Sequence, residues 1–153
     1  MEKELKVAAL RNGTVIDHIP ADKLFQVVSV LRLKYYNHRI TIGNNFDSKR
    51  IGTKGIIKIS DRFLADDETS KIALIAPNAK INIIREYKVI EKRPLTLGNE
   101  IFDVMHCANP VCITNHQPVP TKFQVVRDEN QISLKCIYCE REVKQEEVKI
   151  KKK

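Results

Sequence analysis

The chain has 153 residues, 42% of them hydrophobic and 30% charged, with a formal net charge of +8 and a pI of about 9.4. That length allows one or two small domains, and no apolar run approaches the ~18 residues that a membrane-spanning helix needs. The amino terminus, MEKELKVAAL, lacks the apolar core of a secretory signal; a reducing cytoplasm is the expected compartment, where paired cysteines favour metal or redox chemistry over structural disulfides.

Elements follow in chain order. LKVAALRNGTVIDHIP at 5–20 reads as two extended pieces joined by a turn at Asn12-Gly13, because glycine tolerates positive φ. In ADKLFQVVSVLRL, Leu24, Val27, Val28 and Leu31 recur at i, i+3, i+4 and i+7, one face of a helix. RITIGNNF at 39–46 is strand-like, DSKRIGTKG reads as a loop, and GIIKIS at 55–60 is a second strand. On it Ile57 and Ile59 face one way, and Lys54, Ile56 and Lys58 the other. ADDETSKIALIAP is helical, with Asp66, Asp67 and Glu68 at its positive end and Pro77 as its stop. AKINIIREYKVIEK at 79–92 is a long strand or a bent pair.

The order strand, helix, strand, strand, helix, strand predicts an α+β fold with a ferredoxin-like βαββαβ sandwich. Two helices would cover one sheet face and leave the other for binding or pairing. KRPLTLGNE at 92–100 breaks the pattern and marks a domain boundary, giving domains 1–95 and 96–153. The second holds short strands in IFDVMHC, TKFQVVRD and ISLKCIYC, an all-β piece with too small a core to be comfortable alone.

All four cysteines fall in that piece: Cys107 and Cys112 as C-x4-C, then 23 residues, then Cys136 and Cys139 as C-x2-C. Two such knuckles close a tetrahedron around Zn²⁺, and four protein ligands leave no open position, so one structural zinc per chain is expected, supplying folding energy that the core lacks. Disulfides would need an oxidising compartment, and a thioredoxin-like CxxC should open a helix, whereas CIYC follows a strand. An iron–sulfur cluster also takes four cysteines, and spacing alone leaves it standing. His106 and His116 lie close enough in sequence to replace a thiolate, but four cysteines make that unnecessary.

The first domain offers a polar set. Asp17 and His18 are neighbours on a strand and should point to opposite faces, which denies them a catalytic dyad by adjacency. Lys54 and Lys58 share a strand face and Lys92 follows the last strand; three lysines on one sheet could hold a triphosphate as point charges. A solvated polar surface explains the same residues equally well. There is no P-loop, no GxGxxG, no Ser–His–Asp set and no paired carboxylates, so no catalytic centre is expected. The basic tail VKIKKK carries much of the net charge and reads as a solvated, frayed end. Without a basic stripe, and with only nine Tyr and Phe and no Trp, the composition argues against nucleic acid.

GTVIDHI at 13–19, RITIG at 39–43, KGIIKI at 54–59 and LIAPNAKINII at 74–84, followed by C-x4-C and LKCIYCE, resemble the regulatory chains of aspartate carbamoyltransferase over about Val7 to Val148. The resemblance implies a non-catalytic subunit in pyrimidine biosynthesis. One allosteric site would take CTP or ATP, and often UTP. A zinc domain would dock on the catalytic chain, and regulatory homodimers would bridge two catalytic trimers into a dodecamer. It places Asp17 and His18 at the nucleotide, Lys58 near base and ribose, and Lys92 toward the phosphates. Val7, Ala9 and Leu10 would supply backbone and apolar wall, and Lys54, Asn82, Tyr87 and Val89 match further pocket positions. Asn109 and Glu140 match positions that contact the catalytic chain. Where members of the family commonly carry Pro after the first cysteine, this chain has Ala108. Two alternatives stand beside this reading: a zinc-ribbon nucleic-acid-binding protein, favoured only by pI and tail, and a scaffold-only regulatory chain that has lost its nucleotide response.

Overall fold

The computed structural model describes residues 9–151. The chain forms two compact units, Met1–Thr96 and Leu97–Lys153. The first contains strands β1 (Gly13–Pro20), β2 (Ile40–Ser48), β3 (Gly52–Ser60), β4 (Lys80–Arg85) and β5 (Lys88–Arg93), with helices α1 (Leu24–Val30) and α2 (Asp66–Ile75). The sheet order is β2-β3-β1-β4-β5, antiparallel throughout. Its first four members are the expected ferredoxin-like arrangement, and β5 is an added edge.

Alternation decides which face is buried. Ile16, Ile57, Ile59, Ile81 and Ile83 are almost fully buried with Leu24 and Val27 of α1, Leu31 just beyond it, and Ile72 of α2. Val28 is only half-buried, so the helical stripe is narrower than its periodicity suggested. At the start of α2, Glu68 Oε1 accepts the Ala65 N–H at 3.1 Å, and the three acidic residues occupy the first turn as expected. Gly13 adopts φ +146°, and a Cβ there would lie 2.0 Å from the Ile59 carbonyl oxygen, so both conformation and space demand glycine.

The strands differ from expectation in three places. The basic loop after β2 shrinks to a turn at 49–51, because β2 runs on to Ser48 and β3 begins at Gly52. Residues 79–92 form a hairpin, turning at Glu86 (φ 49°) and Tyr87 (φ 68°), both left-handed as a tight primed turn requires. Lys92 therefore lies inside β5 rather than after it. The first extended piece of 5–20 falls largely outside the described residues.

The second unit is all-β: β6 (Glu100–Phe102), β7 (Lys122–Asp128), β8 (Gln131–Cys136) and β9 (Glu142–Lys144), paired in that order and antiparallel. Phe123, Leu134 and Met105 form its small core. The basic tail is not frayed through Lys151. Ile150 bridges Met105, the His106 N–H donates to the Lys149 carbonyl at 2.9 Å, and the Lys151 N–H donates to Val104 at 2.8 Å. Lys151 Nζ also meets Asp103 Oδ1 at 2.6 Å. In this segment Lys149 is exposed while Ile150, half-buried, pairs with Met105.

Candidate functional site

The open face of the first sheet carries a row of side chains across four strands. Lys58 on β3 pairs with Val15 on β1, Val15 with Asn82 on β4, and Asn82 with Lys92 on β5. Neighbouring strands in register stand ≈4.8 Å apart, so residues far separated in sequence become one line. Gly13, Ile84 and Val89 form a row on one side of it, and Asp17 and Lys80 a row on the other.

Asp17 and His18 meet because β1 does not alternate there. Ile16 pairs with Ile57 but Ile19 with Gly55, leaving two residues of β1 opposite one of β3, and His18 takes φ 59°. This β-bulge turns both side chains to one side. His18 Nδ1 lies 3.5 Å from Asp17 Oδ2, and both residues line the same groove. The expectation of opposite faces is thus corrected: strict alternation assumed a regular strand. Asp17 Oδ1 accepts the His18 N–H at 2.7 Å and receives Lys54 Nζ at 2.9 Å. His18 Nδ1 is buried without a hydrogen-bond partner among the described residues.

The groove, about 380 Å³, runs beside this bulge between residues 77–82 and 92–95, and Asn82, Lys92 and Lys80 line it. Lys54 and Lys58 do not line it; Lys54 reaches it through Asp17 and Lys58 through the cross-strand row. Tyr87 occupies the hairpin turn at the far end, where its N–H donates to the Arg11 carbonyl at 2.9 Å, bringing the segment before β1 alongside. In that segment Leu10 is buried and Ala9 exposed; Val7 lies outside the described residues. Val89 is exposed on β5. Lys80 was missed in the sequence, although its spacing of two from Asn82 already placed it on the same face.

In the second unit the four cysteine Sγ atoms lie within 4.8 Å of one another. Cys107 and Cys139 are 3.6 Å apart, and Cys112 and Cys136 3.8 Å, too far for disulfides. Four thiolates at ≈2.3 Å from one tetrahedral ion would be about 3.8 Å apart, so the donor set fits a single thiolate-bound ion such as Zn²⁺. Neither histidine joins them: His116 Nε2 contacts the Pro110 carbonyl at 2.8 Å, and His106 is exposed.

Backbone amides surround the sulfurs. Burial pushes the Cys107 thiol up to about 12, against the Asn109 N–H, which lowers it. Burial likewise raises Cys136, with the N–H groups of Cys139 and Tyr138 opposing. At Cys139 burial raises the thiol, but hydrogen bonds from the Arg141 backbone and the Asn109 side chain, with those from Cys107 and Cys136, outweigh it and bring it down to about 7. Asn109 thus belongs to the knuckle itself. Glu140, at φ 64°, closes the second knuckle with its N–H on the Cys136 carbonyl at 2.8 Å. Asn115, not singled out in the sequence, donates to the Cys107 and Asn109 carbonyls at 3.0 and 2.7 Å.

Comparison with known proteins matches both units. Residues 5–96 match the aspartate carbamoyltransferase regulatory chain, allosteric domain, and residues 99–149 the metal binding domain of the same chain. The chain is 53% identical to the aspartate carbamoyltransferase regulatory chain of Phocaeicola vulgatus over 149 residues, covering 97% of this chain and 96% of the relative. It is 52% identical to that of Bacteroides thetaiotaomicron over 149 residues, 97% of each. It is 46% identical to that of Pyrococcus abyssi over 147 residues, covering 95% and 96%. An allosteric domain on a ferredoxin-like sheet, followed by a four-cysteine metal-binding domain, places this chain in the family of aspartate carbamoyltransferase regulatory chains, the non-catalytic subunits of that enzyme.

Proposed function

We propose that the chain binds CTP, ATP and UTP at one site on the open face of its first sheet, and passes the effect to the catalytic chain through a zinc domain. The observation that carries this reading is the row Lys58–Val15–Asn82–Lys92, which runs past the Asp17–His18 bulge and its groove. From Gly13 to Asp17 the face is about 13 Å long at ≈3.3 Å per residue, enough for an extended nucleoside triphosphate. Base and ribose would lie toward Tyr87, Val89, Leu10, Ala9 and Val7, with Lys58 beside them. The phosphates would lie toward Lys92, with Asp17, His18, Lys54 and Asn82 shaping the centre.

The lysines cannot tell a pyrimidine from a purine triphosphate, since both carry the same charge. Discrimination belongs to backbone groups before β1 reading the base edge. Opposite effects of two nucleotides at one site require that each bind the two quaternary states with different affinity. A ligand of equal affinity for both shifts nothing.

In the second unit Cys107, Cys112, Cys136 and Cys139 hold one structural Zn²⁺, and the knuckles present Asn109 and Glu140 to the catalytic chain. Regulatory homodimers then link two catalytic trimers in a cytoplasmic dodecamer. The test mixes the zinc-loaded chain with the catalytic chain of its organism and records aspartate saturation without nucleotide, with CTP and with ATP. Curves displaced in opposite directions are expected. Superimposed curves from an intact complex would reduce the chain to a scaffold.

A further inference from the structure

We infer that Lys80 is a phosphate-binding residue: with Lys92 it forms the polyphosphate end of the groove. This rests on the nucleotide reading above and deepens it. Alternation along β4 sends Ile81 and Ile83 into the core and leaves Lys80 and Asn82 on the open face. Lys80 is the cross-strand partner of Asp17. A lysine in that position would ordinarily pair with the carboxylate opposite. Here Asp17 is already held by Lys54 at 2.9 Å and by the His18 N–H at 2.7 Å. The charge of Lys80 is therefore left over, and among the described residues it has no ion pair.

The other cations near the groove sort themselves by their partners. Arg93 donates to the Leu64 carbonyl at 2.5 Å and reaches Glu91 at 3.4 Å, so it is a strut. Lys54 is committed to Asp17. Lys92, like Lys80, has no ion pair among the described residues. Lys92 pairs with Asn82, so it is the diagonal neighbour of Lys80, within reach of a shared ligand for two long side chains. Two ammonium groups at that spacing repel each other, and an anion between them removes the repulsion. Lys54, Lys58, Lys80 and Lys92 against Asp17 give the open face a net charge of 4 − 1 = +3. That balance suits a chain of phosphates better than one phosphate, and His18, whose buried Nδ1 has no hydrogen-bond partner among the described residues, lines the same groove.

The test is calorimetric titration of the full, zinc-loaded chain with CTP, CMP and cytidine, for the parent and for Lys80→Ala, Lys80→Arg and Lys58→Ala. Lys80→Ala should weaken CTP about tenfold, the loss expected for one charged contact, and leave cytidine unchanged. Lys80→Arg should keep CTP within about twofold of the parent, since it preserves the charge. Zinc content and far-UV spectrum check that each variant folds. If Lys80→Ala binds CTP as the parent does while Lys58→Ala does not, Lys80 is a solvated lysine and only this inference fails. Equal weakening of CTP, CMP and cytidine would also overturn it, because Lys80 would then act through the sheet. A parent chain that binds none of the three removes the nucleotide site and this inference together.

Discussion

Lys54 Nζ lies 2.9 Å from Asp17 Oδ1, the same oxygen that accepts the His18 backbone N–H at 2.7 Å. One carboxylate oxygen thus ties β3 to β1 and also holds the left-handed bulge in which His18 sits. The two roles separate by substitution. Asp17→Asn keeps an acceptor for the His18 N–H and should cost little stability, whereas Asp17→Ala leaves both donors without it and should cost about 1–2 kcal/mol. Urea denaturation of the two variants checks this; equal stability would mean that the bulge holds without the carboxylate.

Zinc removal should act on one unit. Structural zinc contributes on the order of 10 kcal/mol to folding small domains, and the second unit has few large core residues. Cys136→Ser, or chelation confirmed by metal analysis, should unfold residues 97–153 and leave the first unit's transition in place. Loading should also weaken as pH falls, because the metal takes thiolates and metal-free Cys107, raised to about 12, holds its proton. A single unaltered transition after complete zinc loss would rule out a structural metal.

The carboxyl-terminal segment should matter to metal retention. Ending the chain at Val148 removes the Met105–Ile150 bridge, the His106–Lys149 and Lys151–Val104 hydrogen bonds and the Lys151–Asp103 ion pair. These contacts hold residues 103–106, which lead directly into Cys107. Two backbone bonds at about 1 kcal/mol each suggest a rise of roughly tenfold or more in the rate of zinc transfer to a chromogenic chelator. An unchanged rate would show that the knuckle is held from within.

Tyr36 gives an alkaline signature. Its hydroxyl donates to the Ser60 carbonyl, and burial pushes its phenol above the ordinary value of 10.0, with Asp61 adding and Arg62 opposing. The folded value lies above the unfolded one, so this contribution is complete below pH 10 and is lost as pH rises through the folded value. Tyr36→Phe should lower stability by about 1 kcal/mol at neutral pH, and the gap between parent and variant should close above pH 10. A constant gap would assign the difference to packing alone.

Much of the molecule was legible in its residues, for reasons that can be located. The alternation of Ile57 and Ile59 with Lys58 oriented β3, and a sheet with one covered face has only one register that satisfies it. The cysteine spacing announced a cage because few other arrangements bring four thiols together. The bulge at His18 was hidden, since no glycine marks its positive φ and the Asp17 carboxylate that accepts its N–H is itself held by Lys54 from another strand. The Glu86–Tyr87 turn was hidden likewise: neither residue favours φ > 0, so the segment read equally as one strand or two. The tail misled because its lysines were counted as charge, while the isoleucine among them supplied the pairing.

The row from Lys58 to Lys92 gathers residues from four strands that the chain visits in the order 15, 58, 82, 92. A bound anion lying along it would be a transverse brace, joining strands otherwise tied by backbone hydrogen bonds and, between β3 and β1, by the Lys54–Asp17 ion pair. Of these four, β5 is the sheet-edge strand, with one paired neighbour and exposed along most of its length, so it is the one most able to peel away. Occupancy of the row would therefore be felt first as a change in how often that edge opens. Amide hydrogen exchange along 88–93 would then record the effector even where no atom moves, with the sheet's own breathing as the reporter.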